Sequence, residues 1–153
     1  SQRVQRALEI CLLTGRPMSA LLAESETQQP AYDFLRIGLL PSERSALHER
    51  IAERFEAMLA AGLDEEVRQL RQKYQLNLNL PSMRCVGYRQ TWEAQDGLIP
   101  AKELRDRGIF ATRQLAKRQI TWLTNSIQSE VFDCLDTQLA EHVGERVSAF
   151  LNA

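Results

Sequence analysis

The sequence predicts a mainly α-helical fold with one or two β-strands, and three observations carry that expectation. Apolar residues recur at helical spacing along most of the chain. Helix stops and starts punctuate them, as at Gly15, Pro17, Pro41-Ser42 and Gly62. Only two short runs, Tyr32–Leu40 and Val131–Leu135, suit strands. With 153 residues, 44% hydrophobic and 25% charged, the chain can bury a working core without staples, and disorder or collagen-like repeats are excluded.

The elements follow in order. Arg3 to Thr14 reads as a helix with Val4, Ala7, Leu8 and Cys11 on one face, stopped by Gly15. Ser19 caps a short turn through Leu22, and Ala23 to Ala31 is a polar stretch, the best boundary between domains. Tyr32 to Leu40, bounded by prolines, reads as one buried strand. Ser42 is the expected N-cap of a helix bearing Leu47, Ile51, Phe55, Met58 and Leu59, which runs to Gly62. Asp64-Glu65-Glu66 opens the next helix, with Leu63, Val67 and Leu70 inward. Gln75 to Ser82 is irregular, a helix is expected from Cys85 to Gln95, and a long, mostly buried one from Ala101 to Asn125. Val131–Leu135 is the second strand, and Gln138 to Leu151 is the closing helix.

Three cysteines, Cys11, Cys85 and Cys134, are odd in number, far apart and form no CxxC, which argues against a disulfide framework or a zinc site and for a cytoplasmic location. No apolar run approaches the ~20 residues of a membrane span. The chain begins without Met or a signal peptide and is expected to be cut from something longer.

Net charge is −1, yet Arg84 to Arg118 holds eight basic residues against four acidic, and Gln128 to Ala153 five acidic against Arg146. The basic middle is read either as facing a polyanion or as a solvated helix face. On the long helix, Arg107, Arg113, Gln114, Lys117 and Arg118 share one arc with Phe110, a strip suited to phosphates and base edges. Salt bridges to acidic helices are its plain alternative. Pro81 to Gln90 places Ser82, Arg84, Gly87, Tyr88 and Arg89 around a helix start, where an anion or nucleotide could dock; Gly87 inside a helix costs about 1 kcal/mol, which suits close approach to the backbone. The competing reading is an ordinary cap with Val86, Tyr88 and Trp92 packed in the core.

His48 and His142 stand alone and read as surface residues, and Asp64-Glu65-Glu66 as helix-start acids. The chain holds no GxSxG, GxGxxG or GxxxxGK[ST] motif, hence neither a nucleophile elbow nor a phosphate loop.

Two stretches are more specific. Pro81-Ser-Met-Arg-Cys-Val-Gly-Tyr-Arg-Gln90 and Ala111-Thr-Arg-Gln-Leu-Ala-Lys-Arg-Gln-Ile-Thr-Trp-Leu123 resemble signature segments of the bacterial tRNA dimethylallyltransferases, or tRNA isopentenyltransferases. Gln2-Arg-Val-Gln-Arg-Ala-Leu-Glu9 with Thr14-Gly15, and His48 to Phe55 through Met58, Gly62 and Glu65-Glu66, agree in order. The resemblance covers nearly the whole chain. It implies transfer of a dimethylallyl group from dimethylallyl diphosphate, with Mg2+ assisting the diphosphate, to the exocyclic amine of the adenosine 3′ of the anticodon. It further implies that residues 1–31 end a helical insertion domain and that 32–153 are the C-terminal part of an α/β P-loop-type core.

Carried over by position, the tRNA-facing residues are Gln2, Arg3, Val4, Gln5, Arg6; Arg84, Cys85, Val86, Gly87, Tyr88, Arg89; and Arg113, Lys117, Arg118, Gln119, Thr121. Arg50 is placed toward the diphosphate. The implied partner is the tRNA anticodon stem-loop, with no membrane. The family's phosphate loop and its catalytic Asp and Thr, with the Mg2+ site, belong to an N-terminal half that these residues do not include. The whole enzyme is expected to be monomeric, and a piece with unpaired strand edges to self-associate. A helical RNA- or protein-binding adaptor without catalysis is the alternative of another class. The 153 residues alone are expected to show no transferase activity, and turnover of labelled dimethylallyl diphosphate onto tRNA by this chain would contradict that.

Overall fold

Helical periods and their stops build nine helices and strands among the described residues, 2–26 and 32–152, of a computed structural model. The chain divides into two units, Ser1–Phe34 and Leu35–Ala153. In the first, α1 (Gln2–Thr14) ends as its sequence dictates: Gly15 takes φ +66° and donates its N–H to the Cys11 carbonyl at 2.9 Å. Ala7 and Cys11 are half-buried, whereas Val4 and Leu8 are both 59% exposed, so the expected apolar face is only partly covered. The turn expected to stop at Leu22 continues as α2 (Met18–Glu26). The rest of the polar stretch to Ala31 lies outside the described residues.

The second unit runs β1 (Ile37–Leu40), α3 (Arg44–Ala60), α4 (Leu63–Lys73), α5 (Tyr88–Gln95), α6 (Leu104–Ser126), β2 (Glu130–Asp133) and α7 (Leu139–Leu151). Short 3-10 turns at Pro81–Arg84 and Ala101–Glu103 precede α5 and α6. The two strands pair in parallel, from Ile37 opposite Glu130 to Leu40 opposite Asp133. The strand expected over Tyr32–Leu40 is therefore shorter, because β2 offers a ladder of four residues, and Tyr32 and Phe34 are exposed. The second strand also ends early: the Asp133 carboxylate accepts the N–H of Leu135 at 2.9 Å in the turn that follows it.

Ser42 is not the N-cap of α3. Glu43 holds that position without a side-chain bond, and Ser42 instead donates its backbone N–H to Asp133 Oδ1 at 3.0 Å, tying the ends of the two strands together. Hydrogen bonds from the Ser42 side chain, then from the backbone of Leu135 and Ser42, hold the Asp133 carboxyl below its usual pKa. On the far side of β2, Arg146 of α7 grips Glu130 with two bonds of 2.6 Å. His142 is not alone: its Nδ1 stands 2.9 Å from Asp136 Oδ2.

The core joins Ile51 and Phe55 of α3, Leu63 and Val67 of α4, Met83, Trp92 of α5, and Leu104 and Ile109 of α6. Helix α6 crosses α3 where it carries no side chain. A Cβ on Gly108 would lie 1.9 Å from Phe55 Cζ, so only glycine admits the ring. Burial along α6 is confined to its first turns, at Leu104, Gly108 and Ile109. Phe110 and Trp122 are exposed, which corrects the expectation of a mostly buried helix: α3 and α5 cover its beginning, and among the described residues little packs on the remainder. Between α4 and α5, Arg71 lies 4.2 Å from the Trp92 ring centre and bonds Asp96 at 2.5 Å, while Trp92 Nε1 donates to the same carboxylate at 2.7 Å.

Gly108→Ala is expected to destabilise the protein by about 1–3 kcal/mol through overpacking against Phe55, read as a lower urea midpoint at unchanged m. A depressed carboxyl stabilises the fold above its unfolded pKa of about 3.9 and ceases to as pH falls through its folded value. Asp133→Asn, which removes the charge but keeps the shape, is therefore expected to lower Tm at pH 7, and its deficit relative to wild type is expected to close in acid below about pH 4; a pH series of thermal melts checks this.

Candidate functional site

Between α4 and α5 the chain is pinned by its own core. The 3-10 turn begun by Pro81 buries Met83 and turns Arg84 and Cys85 outward. Gly87, at φ +99°, is the N-cap of α5, so the helix begins at Tyr88 rather than Cys85 and Ser82 caps nothing. Its N–H is taken by Gln90 Oε1 at 2.9 Å. A Cβ there would stand in ordinary contact, 3.5 Å from Met58 Cε and 3.9 Å from Phe55 and Leu63, so it is the positive φ and not a close approach that calls for glycine, and its neighbours are the protein's own interior. Tyr88 is half-buried and donates its hydroxyl to Glu66, which raises the phenol's pKa above its ordinary value. Arg89 is paired with Glu93 at 2.9 Å.

A groove of about 580 Å³ lies between α3 and α6 and is closed at one side by this segment. Leu47, Ile51, Phe55, Met58 and Leu115 give it apolar walls. Arg50 and Arg54 of α3, Cys85, Val86, Thr112 and Gln119 bring polar or charged groups to it, Val86 apart. Four residues nominated by the sequence, Arg50, Cys85, Val86 and Gln119, thus converge from three separate segments. Lys117 and Thr121 do not line it. Each is two residues from Gln119, about 160° round the helix, and both are exposed, as is Arg118. Arg113 is half-buried and leans on α3, with Nη2 donating to the His48 carbonyl at 3.4 Å and a buried Nε that finds no acceptor. Gln2, Arg3, Val4, Gln5 and Arg6 belong to the first unit, where all are exposed; Gln5 bonds Glu9 at 3.1 Å and Arg6 pairs with it at 3.4 Å.

Ion pairing sorts the cations. Arg68, Arg71, Arg89, Arg105, Arg107 and Arg146 each have a carboxylate partner. In contrast, no salt bridge engages Arg50, Arg54, Arg84, Arg113, Lys117 or Arg118 among the described residues, nor the more distant Arg44, Lys73 and Lys102. Unpaired guanidinium groups beside an apolar groove keep their full donor sets for phosphate oxygens. The sequence motifs do not single out Arg54, although its place four residues after Arg50 puts both on one helix face. Among the described residues no three His, Cys, Asp or Glu side chains come together as a metal site, and no helix is long and apolar enough to cross a membrane.

The sequence pattern of the IPP transferase family matches residues 1–126. A tRNA dimethylallyltransferase of Dechloromonas aromatica (strain RCB) is 74% identical over 153 residues, 100% of this chain and 49% of its own length. One from Burkholderia vietnamiensis (strain G4 / LMG 22486) is 56% identical over 138 residues, 88% of this chain and 43% of that protein. The crystal structure of the full-length tRNA isopentenylpyrophosphate transferase from Bacillus halodurans superimposes with a TM-score of 0.73 at 28% identity, over 99% of this chain and 45% of that one. This chain spans about half the length of the curated relatives it matches.

Proposed function

The chain belongs to the IPP transferase family, and on that premise we propose that the protein is a tRNA-modifying prenyltransferase to which these residues bring a tRNA-contacting surface. The reaction moves a dimethylallyl group from dimethylallyl diphosphate to the exocyclic amine of the adenosine 3′ of the anticodon. The amine nitrogen forms a bond to the allylic carbon, the carbon–oxygen bond to diphosphate breaks, and the amine gives up a proton. The observation that carries the reading is the sorting of cations along α6 and the segment before α5: Arg84, Arg113, Lys117 and Arg118 lack carboxylate partners among the described residues, while Arg105 and Arg107 near the start of α6 are paired, as are Arg6 and Arg89 among the nominated residues.

A base in a stacked loop must leave the stack before its amine can react, at a cost of a few kcal/mol. Arg84, Lys117 and Arg118 offset that cost by holding flanking phosphates, and Gln119 on the groove wall offers an amide to a base edge. Arg50, with Arg54 beside it, faces the diphosphate. The first unit contributes Gln2 to Arg6 to the same tRNA as the end of a helical insertion domain. The second is the C-terminal part of an α/β core, a reading supported by its parallel strand pair, since parallel strands occur in sheets covered on both faces. Leu39 and Val131 are half-exposed on that pair, which supports self-association of these residues alone and a monomeric whole enzyme. Mg2+ is assigned no ligand in this chain, and no step here passes through it. A cytoplasmic location goes with a tRNA substrate.

In the full-length enzyme, Lys117→Ala and Arg118→Ala are expected to weaken tRNA binding and to flatten log K against log salt by roughly one unit for each phosphate no longer neutralised, with diphosphate affinity nearly unchanged. Arg50→Ala is expected to raise KM for dimethylallyl diphosphate without altering that slope. Filter binding across a salt series, with steady-state kinetics, measures both. Wild-type tRNA binding by the Lys117 and Arg118 variants at every salt concentration overturns the reading.

A further inference from the structure

The three acids that open α4 stand side by side in the sequence but do different things. Arg68 takes Asp64 at 2.6 Å and also Glu65. Gln69 reaches Glu65 at 3.1 Å, and Gln95 donates to the Asp64 carbonyl and Oδ1 at 2.7 and 3.1 Å. Glu66 has none of these partners. Its carboxylate accepts one hydrogen bond, from the hydroxyl of Tyr88, the first residue of α5.

That bond falls at the end of α5 that the contacts of Arg71 do not reach. The far end of α5 is already held to α4 by Arg71, which engages Gln95 at 3.0 Å and Asp96 at 2.5 Å and covers Trp92. The near end joins the segment 84–89. Apart from Tyr88, that segment is held by apolar packing of Met83 and Gly87 and by local bonds, from the Gly87 N–H to Gln90 Oε1 and from the Arg89 N–H to the Cys85 carbonyl. Among the described residues, Tyr88–Glu66 is the polar side-chain tie between this segment and another helix.

We propose that Glu66 is a positioning residue for tRNA binding: through the Tyr88 hydroxyl it sets the place of the segment that presents Arg84, Cys85 and Val86. The inference rests on the reading of that segment as tRNA-facing. Tyr88 then serves as a strut whose hydroxyl is committed to the protein, and the phenol, its pKa raised by the bond to Glu66, remains a donor at neutral pH. Because Arg71, Trp92 and Asp96 keep α5 docked, losing the strut loosens the segment without unfolding the helix.

Four variants of the full-length enzyme test this: Glu66→Ala, Glu66→Gln, Tyr88→Phe and, in the same series, Lys117→Ala. Loss of one hydrogen bond to a charged group is expected to raise Kd and KM for tRNA about three- to tenfold in Glu66→Ala and Tyr88→Phe. The salt slope should stay as in wild type, kcat at saturating tRNA should change little, and the urea midpoint should hold. Glu66→Gln, whose amide oxygen still accepts the bond, should return Kd to within about twofold of wild type. The proposal is overturned if Glu66→Ala and Tyr88→Phe bind as wild type, if both Glu66 variants bind tRNA more tightly, as removal of a repelling charge would cause, or if weaker binding tracks a lowered urea midpoint. Lys117→Ala separates the two levels. Should it weaken binding while the Glu66 and Tyr88 variants do not, only the positioning role fails; should it too bind as wild type, the tRNA-facing reading fails with it.

Discussion

The arrangement of the second unit depends on one aromatic ring seated between two glycines. Phe55, buried on α3, presses its ring onto Gly108 of α6 and lies near Gly87 at the head of α5. The first contact sets how closely α3 and α6 approach, and so the width of the groove between them. The second carries the same ring to the segment 84–89, which closes the groove at one side. Three stretches far apart in sequence are thereby brought to one place around a single side chain, with Gly108 admitting its ring and Gly87 supplying the positive φ beside it.

Around that hub the charges are divided. Arg68 engages Asp64 and Glu65 within α4, Arg89 engages Glu93 within α5, and Arg71 to Asp96 and Gln95 to Asp64 dock one helix on the other. The cations of the groove and of the outer face of α6 have no such partners among the described residues. Helix α6 holds both kinds: Arg105 and Arg107 near its start are paired, whereas Lys117 and Arg118 about three turns later are not. The charge balance over Arg84 to Arg118 hides this division, because net charge counts paired and unpaired groups alike.

Much of the fold is legible in the sequence because helices announce their ends locally. Gly15 and the acids at the start of α4 mark boundaries found within a residue or two of the expected ones. What the sequence misplaces depends on tertiary partners. Ser42 looks like a cap from its neighbours, yet its partner is Asp133, 91 positions away. Tyr32 to Leu40 is apolar enough for a long strand, but a strand is only as long as the ladder opposite it. Gly87 reads in sequence as sitting within a helix but stands at the helix's head, a difference that rests on a positive φ. Of the groove, motifs name Arg50, Cys85, Val86 and Gln119. They do not single out Arg54, and they read Glu66 only as one of three helix-start acids, since nothing in a single sequence separates a surface charge that faces solvent from one that faces a cleft or a tyrosine.

The two parallel strands are joined across nearly the whole second unit, and this separation sets the size of the loop that their pairing closes. Contacts from α3 to α6 and from α4 to α5 close loops of a few dozen residues, but pairing β1 with β2 must bring together segments about 90 residues apart. Closing the longer loop carries the larger entropy cost, and sheets built from distant segments form late. The strand pair is therefore the most non-local of the contacts described in this unit, and the clamp from Ser42 to Asp133 holds the two ends of its loop together with a backbone-to-carboxylate bond.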